Sequence, residues 1–134
     1  LARFGAKKAL FIGDRLDTDI MGASRVGIDS VLVLTGIDRP KHVLAAPEGS
    51  RPTYILGDLR ELHLPYPEVT EQDGVFQVNG AAVRVSGADV EIVAESGQQI
   101  DLLRAGAAAI WASGTPVFVL RVPERLYDDP FHRP

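Results

Sequence analysis

Ala9-Leu10-Phe11-Ile12-Gly13-Asp14-Arg15-Leu16-Asp17-Thr18-Asp19-Ile20 decides how the first half of this chain is read. Leu10 to Ile12 is a continuous apolar run, the pattern of a strand in a parallel sheet covered on both faces. Gly13 lets the chain turn, and two carboxylates, Asp14 and Asp19, follow at the mouth of the strand. In open α/β sheets ligands bind beyond the carboxyl ends of the strands. Asp14 is therefore aimed into a crevice, and Asp19 falls at or near the first turn of the next helix. Two acids at this spacing suit Mg²⁺, which takes few carboxylates and keeps several waters. Helix capping is the competing role for an Asp after a strand-end Gly. Asp17 is a third acid nearby, with Thr18 an alternative cap for the same helix.

Outward from this stretch, Val31-Leu32-Val33-Leu34 and Thr53-Tyr54-Ile55-Leu56 read as two more strands. Asp19 to Val26 reads as a helix ended by Gly27 in the left-handed conformation. Pro40 to Ala46 reads as another, with Asp38 near its start. Asp58-Leu59-Arg60-Glu61 has the spacing of a capping box and opens a last short helix. The order is βαβαβα, an α/β class with a partial parallel Rossmann-like sheet and right-handed crossovers. Gly13-Asp14, Thr35-Gly36 and Gly57-Asp58 all lie at its carboxyl edge. Glu61, three residues after Asp58, marks that Asp as a plain cap rather than a ligand.

Pro65-Tyr66-Pro67 ends this regime, and the apolar period changes from 3.6 to 2. Val75–Val78, Ala82–Val85 and Val90–Val93 read as strands, with Asn79-Gly80 as a type I′ hairpin turn between the first two. Gln72-Asp73-Gly74 fits a further hairpin turn. Ser86-Gly87-Ala88-Asp89 turns the chain again. Ile100, Leu103, Ala107, Ile110 and Trp111 recur at helical spacing over Gln99 to Ser113, stopped by Gly114 and Pro116. Val117–Leu120 reads as a final strand, and Glu124 to Pro134 as a polar tail. The organisation expected is a first domain over 1–67, a small α+β domain of order βββαβ over 68–124, and a tail over 125–134.

The bulk numbers are those of an ordinary globular chain: 134 residues, 46 % hydrophobic and 24 % charged. A net charge of −4 gives no basic footprint for nucleic acid or an anionic membrane. The absence of cysteine excludes disulfides and thiolate metal sites. No apolar run approaches the ~20 residues of a membrane helix, and no signal-peptide pattern opens the chain. A cytoplasmic protein is the default expectation. Each half is small for a self-sufficient core, and three parallel strands leave an apolar sheet edge open. The sheet is therefore expected to continue into upstream residues of a longer parent chain or into a partner, a homodimer being one arrangement.

Ile12-Gly13-Asp14-Arg15-Leu16-Asp17-Thr18-Asp19-Ile20, with Gly22, Gly27 and Leu32-Val33-Leu34-Thr35-Gly36, resembles the fourth motif of haloacid-dehalogenase-like (HAD) phosphatases. The branch it is most similar to carries a large α/β cap and contains phosphoglycolate, p-nitrophenyl phosphate and glycerol phosphate phosphatases. The resemblance covers roughly residues 1–64. It implies that Asp14 is a direct Mg²⁺ ligand and that Asp19 holds metal-bound water or completes the acidic shell. It also implies an Asp nucleophile that forms an aspartyl-phosphate, later hydrolysed by water. Mg²⁺ would offset the repulsion between that carboxylate and the phosphate. Arg15 is a weaker candidate for approaching a substrate phosphate.

The nucleophile motif of that family, Asp-x-Asp-Gly-Thr or a variant, is not found in this sequence. Lys7 and Lys8 sit too close to the first strand to be the phosphate-holding Lys. The chain thus reads as the C-terminal part of such an enzyme, without phosphatase activity by itself. The substrate expected is a small phosphorylated metabolite, glycerol 3-phosphate first. The second half resembles the small acetyltransferase-like domain appended to some glycerol phosphate phosphatases. Ser96-Gly97-Gln98-Gln99 is not the pyrophosphate-binding loop of acetyl-CoA enzymes, so packing, dimerisation or regulation is expected there. His42, His63 and His132 are scattered and read as structural or solvent-facing, and Trp111 as core. A non-catalytic binding module on the same scaffold is the alternative reading. A nucleotide-binding sheet is disfavoured for want of a Gly-x-Gly-x-x-Gly loop.

Overall fold

The computed structural model describes residues 9–34, 38–95 and 98–128. The chain divides into two compact units, Leu1–Tyr66 and Pro67–Pro134. Lys7, Lys8, Thr35-Gly36, Ser96-Gly97, His132 and the end of the expected tail lie outside the described residues.

The first unit contains a parallel sheet of order β1-β2-β3, formed by β1 (Leu10–Gly13), β2 (Asp29–Val33) and β3 (Tyr54–Leu56). The central strand explains the apolar run in the sequence, since Val31 to Leu34 are all buried. Val31 and Val33 pack with Leu56 and Tyr66 into one apolar cluster. The Tyr66 ring meets Tyr54 edge-on at 4.9 Å, and its hydroxyl accepts from the Ile55 amide at 3.0 Å. That bond supplies a partner for a buried hydroxyl, as the interior requires. The buried Ser30 is satisfied in the same way: its amide donates to Thr53 Oγ1, and its own Oγ accepts from the Thr53 amide.

β1 departs from the expectation of a strand covered on both faces. Phe11 and Ile12 are 43 % and 41 % exposed. Successive side chains of a strand point to opposite faces, so both faces are thinly covered here. Among the described residues β1 pairs with β2 along one edge, and no strand pairs with its other edge.

The helices are shorter than the sequence pattern suggests. Leu16–Ile20 is a π turn, running into α1 (Met21–Arg25). Both Asp19 and Ile20 donate to the Arg15 carbonyl at 3.1 Å, which sets the wider turn. Neither Asp17 nor Thr18 caps it, because both lie inside the turn, and extended Arg15 holds the cap position. Gly27 ends the segment at φ +74, as expected for a left-handed stop. α2 (Pro40–Leu44) buries Val43 and Leu44 and carries Pro at its first position, where no amide is needed. Asp58 caps a 3₁₀ turn, Leu59–His63, by accepting from the Arg60 amide at 2.8 Å.

The second unit is a four-stranded antiparallel meander followed by one helix, ββββα rather than βββαβ. Its strands are β4 (Val69–Gln72), β5 (Val75–Val78), β6 (Ala81–Ser86) and β7 (Asp89–Glu95), in that spatial order. Two-residue turns join every pair. Asp73 and Gly74 have φ 53 and 82, and Asn79 has φ 51, the left-handed values these hairpins require. One face, carrying Val78, Ala81, Val83 and Val90, is buried against α3 (Gln99–Ser113). Gly114, at φ 71, ends that helix.

Val117–Leu120 is not a strand. Val117–Val119 forms a 3₁₀ turn, with the Val119 and Leu120 amides bonded locally to Pro116 and Val117 carbonyls. Beyond it, Arg121 bridges Asp89 in parallel fashion at the start of β7. Phe118 is consequently 84 % exposed. Nor is the start of the polar tail loose. Glu124–Tyr127 is a 3₁₀ turn whose Leu126 is fully buried over Gly106 of α3. Arg125 anchors this turn through Gln99, Asp128 and Glu95.

Candidate metal centre

The loop after β1 is fixed by its own sequence. A Cβ at Gly13 would lie 2.5 Å from Asp19 Cγ and Oδ2, so only glycine leaves room for the acid. Asp19 Oδ2 then accepts from the amides of Asp14, at 3.2 Å, and Arg15, at 3.3 Å. Carboxylates make stronger bonds to backbone amides than neutral acceptors do. The π turn serves this arrangement, since it brings the fifth residue after Gly13-Asp14 back over the strand end. Turns of that kind recur at functional sites.

Asp38 completes the hold from a distance of 22 residues. Its Oδ2 accepts from the Leu16 amide at 2.6 Å. Three successive amides, of Asp14, Arg15 and Leu16, are thus turned toward two carboxylates. Asp38 directly precedes Arg39, the cap residue of α2, where His42 Nδ1 accepts from the Arg39 amide at 2.8 Å. The sequence pattern puts Asp38 near a helix start and carries no sign of its bond to this loop. Its contact crosses between strand ends, so no local spacing announces it.

Asp14 is exposed, and no hydrogen bond or ion pair engages its carboxylate among the described residues. Asp58 occupies the equivalent end of β3 and is a contrast. Its carboxylate takes the Arg60 amide and guanidinium at 2.8 to 3.0 Å. The Arg60 side chain, hydrogen-bonded to it, holds the Asp58 carboxyl below the usual carboxylate range. The capping role expected for Asp58 is what the geometry gives, with Arg60 rather than the third residue as the amide donor.

Arg15 and Asp17 pair with each other, Nε to Oδ1 at 3.3 Å, on the exposed side of the turn. Arg15 is therefore directed to its neighbour, and Asp17 is an ion-pair partner rather than a cap. His42 has a structural use in the cap of α2, and His63 is exposed. Among the described residues no group of three or more His, Cys, Asp or Glu side chains converges as a closed metal cage. Asp14 with Asp19 supplies oxygen donors only, which matches a hard cation that keeps waters and takes its other ligands elsewhere.

Comparison with known proteins agrees with this chemistry. Residues 1–62 match the family model described as HAD-hydrolase-like. The chain is 40 % identical over 115 residues to a D-glycerol 3-phosphate phosphatase of Mycobacterium tuberculosis, covering 83 % of this chain. It is also 40 % identical over 60 residues to a 4-nitrophenylphosphatase of Schizosaccharomyces pombe, covering 44 % of this chain. The matches span 33 % and 20 % of those two relatives. A glycerol phosphate phosphatase of Mycobacterium tuberculosis, solved in complex with magnesium, superposes with a TM-score of 0.68 at 38 % identity, covering 85 % of this chain and 32 % of that one. The same enzyme in complex with calcium gives 0.65 at 35 % identity, over 80 % of this chain and 31 % of that one. An alignment of 115 residues is longer than the Leu1–Tyr66 unit, so it extends into the second unit.

Proposed function

We propose that Leu1–Tyr66 supplies the metal-binding wall of a Mg²⁺-dependent phosphatase site that hydrolyses small phosphate monoesters. The observation that carries this reading is the state of Asp14. Its backbone is held by Asp19, while its carboxylate stands exposed and unengaged among the described residues at the carboxyl edge of the sheet. A carboxylate held in this way is ready to take a cation without reorganising its loop. Similarity over most of this chain to a glycerol phosphate phosphatase that was solved with magnesium supports the same reading.

In this reading Asp14 is the ligand and Asp19 fixes the peptide that carries it. When bound, the cation supplies charge that stabilises the transferring phosphoryl group. Asp19 holds the Asp14 and Arg15 amides, which fixes the peptide from which the ligand carboxylate projects. The nucleophilic Asp, which forms an aspartyl-phosphate and releases the alcohol, comes from residues outside this chain, as does the cap that selects substrate. A glycerol 3-phosphate-like ester is the substrate of choice, on the similarity to enzymes of that name. The unit Pro67–Pro134 is a small α+β domain appended to the catalytic one, of acetyltransferase-like character, with a packing or regulatory role.

The test is a Mg²⁺ titration of the purified chain followed by amide NMR. Shifts confined to Gly13–Ile20 are expected, lost in Asp14→Asn. The unsubstituted chain is expected not to hydrolyse p-nitrophenyl phosphate. Mg²⁺-dependent turnover that disappears in Asp14→Ala would overturn the division of the site between this chain and other residues. Absence of any Mg²⁺ response at Gly13–Ile20 would remove the metal role and leave an interaction module on the same scaffold.

A further inference from the structure

We infer that Asp38 is a positioning residue for the candidate metal loop, coupling the entrance of α2 to the carboxylate of Asp14; this rests on the metal reading of Asp14. Asp19 holds the two amides nearest the strand, Asp14 and Arg15. Leu16 opens the π turn, and its amide has no intrahelical acceptor, as at any helix start. Asp38 supplies that acceptor at 2.6 Å, the shortest of the three bonds to this loop. The bond is partly buried, and the Asp38 side chain is 18 % exposed. Water therefore replaces it less readily than it would replace the outer Arg15–Asp17 pair, whose side chains are 45 % and 66 % exposed.

The peptide from Asp14 to Leu16 is thereby clamped at both ends, by a residue of its own turn and by one from the next strand connection. Removing the outer clamp frees Leu16 and lets the Arg15 peptide rotate. The peptide that carries the Asp14 carboxylate then moves, and a cation must fix it on binding. Asp38 itself is placed by the entrance of α2, since it adjoins Arg39, the cap residue whose amide is held by His42. A shift of the α2 entrance is felt at Asp14 through one side chain.

The experiment compares the full chain with Asp38→Ala and Asp38→Asn. An Asn oxygen still accepts from the Leu16 amide but carries no charge. Amide exchange at Asp14, Arg15 and Leu16 is read first, without metal. Asp38→Ala is expected to lose protection at these amides and Asp38→Asn to keep most of it. Mg²⁺ titration follows. Asp38→Ala is expected to weaken binding roughly 10-fold, the lower end for groups that orient a ligand from behind, with Asp38→Asn recovering most of it. Equal loss of affinity in both variants, with exchange unchanged, would show a charge effect and overturn the positioning role. Unchanged exchange and affinity in Asp38→Ala would overturn it outright. If the unsubstituted chain shows no Mg²⁺ response, the metal reading fails and takes the positioning role with it. Exchange at Leu16 would then report only a structural bond.

Discussion

Gly13→Ala is the sharpest perturbation of the candidate site. The backbone of Gly13 is not in the left-handed region, so its requirement is space rather than conformation. The added methyl meets Asp19 Cβ first, then Cγ and Oδ2 at 2.5 Å. Rotating the Asp19 side chain does not relieve a contact with its own Cβ, so the turn must move away from the strand. Forcing an extra methyl into a filled contact costs about 1–3 kcal/mol. Loss of the amide bonds to Asp14 and Arg15 adds ~0.5–1.5 kcal/mol each before water replaces part of it. A net destabilisation of about 2–4 kcal/mol follows, a large share of the ~5–15 kcal/mol that holds a typical domain together. Because the chain has two units, hydrogen exchange at the β2 amides of Val31–Val33 is a better probe than a global melt. Repeating the substitution in Asp19→Gly removes the atoms that clash. A coupling energy of at least ~1 kcal/mol between the two sites is then expected. A Gly13→Ala chain within ~0.5 kcal/mol of the parent, with Asp14 and Arg15 amides unshifted, would refute the packing argument.

Four further outcomes are expected. Leu126→Ala, which empties a fully buried position over α3, should cost ~2–5 kcal/mol by chemical denaturation. In that background Gly106→Ala should turn from unfavourable to stabilising by up to ~1 kcal/mol, because the Leu126 Cδ2 that would meet its methyl at 2.9 Å is gone. Asp101→Ala should cost ~1–3 kcal/mol, since it removes the buried bond from Arg104 at 3.1 Å and the bond from Asn79 Nδ2 at 3.1 Å. Hydrogen bonds from Arg60 and Arg121 hold the Asp58 and Asp89 carboxyls below the usual range. Their stabilising contribution is therefore present above the ordinary carboxylate range and lost as pH falls through the depressed native values. Carboxyl-carbon NMR titrations should show both, with Arg60→Ala raising Asp58 part of the way, since the residue-60 amide stays bonded to it, and leaving Asp89 unmoved, and Arg121→Ala raising Asp89 and leaving Asp58 unmoved.

The elements most legible in the sequence are those whose signal is local. The helix Gln99–Ser113 is bounded by Gly114, and the hairpins at Asp73-Gly74 and Asn79-Gly80 need residues that accept positive φ. The β2 run is buried as its composition demands. The misses came where environment outweighs pattern. Val117–Leu120 has strand composition, but Pro116 and local amide bonds turn it into a 3₁₀ segment. Val69–Gln72 is a strand with every residue exposed, so hydrophobic alternation is silent, and only the Asp73-Gly74 turn before Val75 points to it. At the site, the exposed Asp14 and its neighbour Asp19 follow from spacing after a strand. The part played by Gly13 is a matter of packing, and that of Asp38 a contact across 22 residues, which linear spacing does not encode.

The two-residue turns of the second unit also bear on how fast it forms. Each strand from β4 to β7 pairs with the one just made, and the turns between them are Asp73-Gly74, Asn79-Gly80 and Gly87-Ala88. The parallel sheet has no such short closures: Leu10 pairs with Asp29 and Val31 with Tyr54, each across an intervening helix. Loop closure must be completed before a contact is gained, so chains rich in near-neighbour contacts cross their folding barrier sooner. In a refolding experiment the meander should acquire exchange protection ahead of β1 and β2. On a ribosome the order of emergence runs the other way. The slower sheet, with Phe11 and Ile12 exposed along its edge strand, would then be the first to wait for its partners.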